Sequence, residues 1–340
     1  MRFPTLIVVC VIALAGIPAQ SSQFVTEHYQ RQSGAIVVET DGDFVDPYFA
    51  IKALLTAQDG GLDMSGPALA WIRWLLPRQL RDGRFQRYCR GADGEWHACK
   101  SADADDALLA LWLELLYRMS PDSGMPPEWK ASAAKAEDQL AWLFDHKLGI
   151  YAVSRHNAVG LFMDNVEIYA ALKDIAASQR RLGDPARAQQ TEARAQAMAS
   201  AIVHIFWDKK HARFRVSTQR HWKQDFYPDA VAQTYAWLLG LPTPEDPRIA
   251  WPNWKRRYGA GWMDRRRDPH PWGLVALTAQ ALGDQNTAAC WVAKAAPLRY
   301  SADWNVLEEA AYQVLTAMLP PAGPSPRDCE LSRASMTGPS

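Results

Sequence analysis

Apolar positions recur at three- and four-residue intervals in eleven segments of the chain, at 46–58, 65–80, 104–119, 129–144, 164–182, 185–207, 228–240, 247–258, 271–282, 285–296 and 304–319. That spacing puts them on one face of an α-helix. Pro185 and Pro228 open two of the segments, where a missing N–H costs no hydrogen bond, and Gly183, Gly240 and Gly283 close others. The stretch ALLALWLELL at 107–116 is apolar nearly all round and predicts a helix buried on every side. An inner ring of helices wrapped by an outer ring supplies that environment, so the pattern predicts an all-α array of helical hairpins. The strand-like pieces RFQRYC with EWHAC, GIYAVSR and ARFRVST fall in the longer connections and predict small β-hairpins along one rim of a cleft. No 34- or 40-residue period repeats, which argues against a solenoid.

The two ends read differently. Residues 1–21 carry Arg2, an apolar run from Leu6 to Ile17 and the small Ala19 near their end, the pattern of a cleaved signal peptide. The run is short for a membrane span, so export to the periplasm or the exterior is expected, without membrane insertion after cleavage. A domain over 22–320 follows, then a Pro/Ser-rich flexible tail at 321–340 that Cys329 could pin. Four cysteines remain after the leader, an even count that favours disulfides in an exported chain. Cys89 and Cys99 flank CRGADGEWHAC, where a three-residue loop centred on Gly94 sets them opposite each other and predicts a disulfide. Whether Cys290 and Cys329 pair is open.

Composition narrows the function. The 340 residues hold 37 basic and 37 acidic side chains, which excludes nucleic-acid binding by bulk electrostatics. A hydrophobic content of 48% excludes disorder. No phosphate-binding loop or metal-ligand spacing occurs, so no cofactor and no metal are expected, in a monomer. Acids, however, cluster at predicted helix starts: Asp43 and Asp46 before FAIKALL, Asp103, Asp105 and Asp106 before ALLALWLELL, Asp164 and Glu167 at NVEIYAAL, and Asp225 and Asp229 around AVAQTYAWLLG. Each singly fits an N-cap or a first-turn acid. Three acids before one helix exceed what capping needs, and in a toroid the starts of inner helices share one face. Carboxylates with 15 Trp point to carbohydrate, because pyranose C–H faces stack on indoles while hydroxyls meet carboxylates. Trp96, Trp262, Trp272 and Trp304, in or near connections, are the stacking candidates; Trp71, Trp74, Trp112 and Trp237 read as core.

Three segments in order resemble glycoside hydrolase family 8, which includes periplasmic cellulases of bacterial cellulose synthesis. SADADDALLALWLELL from Ser101 is similar to that family's Asp-Ala/Gly-Asp signature before a buried helix, with Ala102 where Ser or Thr is usual. DGEW with WHACKSADAD resembles its hairpin bearing a substrate-facing Trp, here Trp96. FYPDAVAQTYAWLLG resembles its Tyr-Asp-Ala segment, with Pro228 inserted between Tyr227 and Asp229 and its usual Arg unmatched. The general acid's Glu-Gly motif is absent from ETDGDFVDPYFAIKALL, where Asp46 beside Tyr48 is the positional substitute, then Asp43, then Glu39. The resemblance implies an (α/α)6 toroid and inverting, endoglucanase-like hydrolysis of a β-linked polysaccharide, tied to exopolysaccharide synthesis or turnover. Asp229 is then the base, Asp46 the acid, and Asp103 the holder of a sugar hydroxyl or the attacking water. Asp43, Tyr48, Trp96, Asp164, Glu167, Tyr227, Trp272 and Trp304 complete the expected substrate contacts. A helix start favours a charged Asp229 but works against Asp46, which must carry a proton. Two competing readings are a polysaccharide-binding protein that lost its acid, and a lyase using His156, Tyr227 and the arginines around Arg265.

Overall fold

The computed structural model describes residues 22–219, 224–320 and Cys329; the predicted leader and the rest of the tail lie outside the described residues. Among the described residues, eleven α-helices occupy the eleven predicted segments: α1 (Pro47–Asp59), α2 (Ser65–Leu75), α3 (Asp105–Met119), α4 (Pro127–Leu143), α5 (Phe162–Arg181), α6 (Pro185–Phe206), α7 (Val231–Leu238), α8 (Pro247–Met263), α9 (Gly273–Ala281), α10 (Gln285–Ala295) and α11 (Val306–Met318). Local chemistry starts them. Prolines occupy the first turns of α1, α4, α6 and α8, and the carboxylates of Asp46, Asp184, Asp246 and Asp284 cap α1, α6, α8 and α10 through first-turn backbone N–H groups. One start departs from expectation. Pro228 does not open α7 but lies inside a π-helical turn, Phe226–Ala230, after a cis Tyr227–Pro228 bond.

The odd-numbered helices form a closed ring, each packed on the next: α1 on α3, α3 on α5, α5 on α7, α7 on α9, α9 on α11, and α11 back on α1. Even-numbered helices lie outside, most extensively α4 on α3, α6 on α5 and α10 on α9. Along the axis runs a cavity of about 460 Å³, walled by all six ring helices. Asp59, Arg118, Leu239, Ala281 and Met318 among its lining lie at or just past helix C-terminal ends. The helix starts, with their acids, therefore lie toward the opposite face.

The small strands fall in the connections. β1 (Phe44–Val45), β2 (Gln86–Arg90) and β3 (Trp96–Ser101) form an antiparallel sheet; β4 (Phe144–Asp145) pairs with β5 (Ile150–Tyr151), and β6 (Trp207–Asp208) with β7 (Arg213–Phe214). Cys89 and Cys99 are bonded, with Cα atoms 5.7 Å apart, by a route other than the predicted register. The loop centres on Asp93, with Gly91 N–H donating to Glu95 C=O, so Cys89 faces His97. Cys99 is an extra residue between Ala98 and Lys100, which pair with Tyr88 and Arg87, and this bulge carries its sulfur back to Cys89. Cys290 and Cys329 are also bonded, which pins the tail to α10.

Tryptophans account for much of the core. Trp71, Trp74 and Trp112 are buried as expected. Trp262 and Trp304 are buried too, correcting their assignment as sugar-stacking residues. Trp304 is 1% exposed, stacks on Trp291 and donates to Glu309 Oε2 at 3.0 Å, while Trp262 donates to the Pro271 carbonyl at 2.7 Å. A buried indole N–H needs an acceptor, and both find one inside the fold.

Candidate active site

At the ring face bearing the helix starts, Asp46 leaves β1 and caps α1, its Oδ1 accepting from the Tyr48 N–H at 3.0 Å. Its Oδ2 lies 2.7 Å from Arg87 Nε. Arg87 also reaches Asp103, 3.5 Å from Nη2 to Oδ1, so the disulfide-braced hairpin inserts one guanidinium between two acids. Burial pushes the Asp46 carboxyl up, and Arg87 and the cap N–H oppose that. A carboxylate held by a guanidinium and an N–H is poorly suited to donate a proton. Asp103 is open, its side chain 90% exposed. Asp43 is exposed and pairs loosely with Arg90 at 3.9 Å, and Glu39 is exposed, bridging Asn305 through its backbone.

Deeper in the ring, Glu167 of α5 is 1% exposed; its Oε1 accepts from the Tyr48 hydroxyl at 2.7 Å and pairs with Lys52 of α1. Lys52 Nζ lies 4.7 Å from the centre of the Tyr235 ring. One turn before Glu167 stands Asp164, whose neighbour is Asp106 at the start of α3. Asp106 is 0% exposed, and no side chain donates to either of its oxygens, which have only the backbone N–H groups at the start of α3 beside them; Asp164 Oδ2 has no hydrogen-bond partner. Burial, then the Asp164 charge, raises the Asp106 carboxyl well above the usual carboxylate range. Asp164 is raised to about 7, by burial first, then by Glu167 and Asp103, with Lys52 and a hydrogen bond from Asp106 opposing. Each of these two buried carboxyls disfavours charge on the other, so Asp106 keeps its proton, and Asp164, which accepts a hydrogen bond from it, takes up a proton of its own below about 7.

An aromatic pair borders these acids. Tyr227 is 48% exposed and stacks on Trp272 with ring centres 4.7 Å apart and planes at 23°. Its phenol is raised by burial and by the charges of Asp164, Asp103, Glu167 and Asp268, so the pair lies within their field. Asp46, Tyr48, Asp103, Asp164, Glu167, Tyr227 and Trp272 thus form one neighbourhood. Asp229 lies two residues past Tyr227, its Oδ2 accepting from the Asp225 N–H at 3.2 Å. Trp96 sits on β3, half-buried, edge-on to Trp74.

Sequence reasoning missed Lys52, Arg87 and Tyr235, and gave Asp106 no role of its own within the acid cluster before α3. A signal existed for two of them: a lysine inside the apolar stretch FAIKALL is costly to bury unless paired, and the surplus acid before α3 is Asp106. Among the described residues no group of three His, Cys, Asp or Glu side chains is placed to hold a metal ion. Nor does any of their helices have the length and apolarity to cross a membrane.

No family model matches the chain, and no curated protein matches it in sequence. Solved structures do. An α-amylase from Clostridium perfringens superposes with a TM-score of 0.54 at 11% identity, over 86% of this chain and 94% of that one. The GH63 mannosylglycerate hydrolase from Thermus thermophilus, in complex with glucose, gives 0.53 at 12%, over 86% and 98%. A rhamnosidase from Klebsiella oxytoca with rhamnose bound gives 0.53 at 10%, over 80% of this chain and 58% of that one. The chain is similar in fold to these glycosidases, and at such identities the likeness is one of fold.

Proposed function

We propose that this protein is an exported glycoside hydrolase that uses paired carboxyl groups on an (α/α)6 toroid to cleave a polysaccharide or oligosaccharide. The observation that carries the reading is the buried Asp106–Asp164 pair beside the Tyr227–Trp272 stack. Glycosidic cleavage needs a carboxyl that still holds a proton near neutral pH and a second carboxylate to activate water. Asp164, raised to about 7 and less deeply buried than Asp106, suits the first role better than Asp46. Asp46 instead orients Arg87 and, through it, Asp103. Asp229 and Asp103 are the candidate bases, and an inverting reaction places acid and base about 6.5–9.5 Å apart. The half-exposed Tyr227 and its Trp272 partner offer a platform for a pyranose ring. Two disulfides fit an oxidising compartment and the signal peptide read at 1–21.

The resemblance to family 8 favours a β-linked polymer such as a bacterial exopolysaccharide, while the glycosidases of similar fold widen the panel worth testing. Lysis is less well supported. Burial, and after it the surrounding carboxylates, raise the Tyr227 phenol, the wrong direction for a base, His156 is exposed, and Arg265 is paired with Asp303 at 2.7 Å. The test is reducing-sugar release from β-glucans, xylans, chitosan, bacterial exopolysaccharides and α-glucans. Turnover lost in Asp164→Asn supports the proposal. Oligosaccharide binding without turnover by the unaltered protein would establish the binding-protein reading, and a product absorbing in the near ultraviolet would establish lysis.

A further inference from the structure

Trp272 adopts a left-handed backbone, φ +53°, that a bulky residue rarely takes, and it does so at the residue preceding α9. Its indole Nε1 is buried without a hydrogen-bond partner. No polar contact of the ring therefore fixes its orientation, which depends on the backbone pose and the stack with Tyr227. The backbone is held from another helix. Glu308, in the first turn of α11, accepts the Gly273 N–H through Oε2 at 2.6 Å, and its carboxylate also accepts from the Trp272 N–H. Glu308 is itself fixed, its N–H donating to Asn305 Oδ1 at 3.1 Å. Glycine at 273 makes room for the approach, since a Cβ there would lie 2.9 Å from Glu308 Oε2 and 2.5 Å from the Ala311 Cβ. Burying a carboxylate is costly, and two N–H groups at the positive end of α9 offset part of that cost, burial still raising the carboxyl to about 7.

We infer that Glu308 is a positioning residue for sugar binding: its carboxylate holds the Trp272 backbone in the left-handed pose that presents the indole to Tyr227. This deepens the glycosidase reading and rests on it for the word sugar, but the clamp itself can be tested without turnover. Near-ultraviolet circular dichroism of the sugar-free protein reports the Tyr227–Trp272 stack, with Trp272→Phe defining its contribution. Glu308→Ala is expected to lose the same component. On an oligosaccharide substrate it should raise KM by about two- to tenfold, the worth of one aromatic stack, with kcat nearly unchanged. Glu308→Gln keeps an oxygen acceptor and should retain the signal and KM. Glu308→Asp keeps the charge but withdraws it from the N–H groups, and should resemble Glu308→Ala in a variant that still folds. An unchanged aromatic signal in both Glu308→Ala and Glu308→Asp would overturn the clamp. A kcat collapse in Glu308→Gln with the aromatic signal intact would overturn the positioning role in favour of direct chemistry. Absence of turnover in the unaltered protein would count against the glycosidase reading and leave the spectroscopic result to decide on Glu308.

Discussion

Replacing Lys52 by Met removes the cation from a buried pair and leaves Glu167, 1% exposed, with only the Tyr48 hydroxyl on Oε1. Its Oε2 already has no partner, so nothing nearby takes up the charge. Breaking such a pair costs about 3–5 kcal/mol, mostly the penalty of an uncompensated buried charge. The Lys52–Tyr235 contact falls within that range and does not enlarge it. Unfolding releases about 2.1 cal/mol/K per residue, which for the domain at 22–320 gives about 0.6 kcal/mol/K and a Tm drop of about 5–8 °C. The assay is thermal and urea unfolding of Lys52→Met, Glu167→Gln and the double variant as a cycle. The double variant should recover much of the loss, because the glutamine amide is neutral and its oxygen still accepts from Tyr48. A Lys52→Met variant within about 1 kcal/mol of the parent, or a double variant worse than either single one, would refute the reasoning.

Asp164→Asn should lower kcat by about 10²–10⁴-fold with KM little changed. In the parent, kcat should fall as pH rises through about 7, because Asp164 acts in its protonated form. Asp106→Asn imitates a carboxyl that already carries its proton, so it should stay folded and active and gain Tm at pH 8, where Asp164→Asn stays folded but inactive. For the fold as a whole, the carboxyls of Glu114, raised to about 8, and of Asp164 and Glu308, each raised to about 7, bind protons more tightly folded than unfolded. Stability from these groups is complete below their ordinary values near 4 and is lost as pH climbs to about 8, so Tm between pH 5 and 8 should decline; a rising Tm would contradict the assignment. Tyr227→Ala should weaken oligosaccharide binding by about two- to tenfold in calorimetry, and an unchanged Kd would remove the platform from the site.

The eleven helices were legible in the chain because their signals are local. Apolar spacing, the Asp184-Pro185 start and the Gly183, Gly240 and Gly283 ends act within a few residues, and α1 to α11 match the segments those signals marked to within a few residues, the start of α7 at Pro228 excepted. The cystine of Cys89 and Cys99 was legible from spacing, although a loop centred one residue earlier and a bulge at Cys99 changed its register. The acids at helix starts were visible too, but their roles were not. That Asp106 meets Asp164, that Lys52 neutralises Glu167, that Arg87 ties Asp46 to Asp103, and that Trp304 turns inward while Trp272 stacks on Tyr227 depend on residues from about a dozen to just over a hundred positions apart. Ring closure brings these groups together, and the desolvation that follows sets which carboxyl keeps a proton; neither quantity exists until the helices have packed.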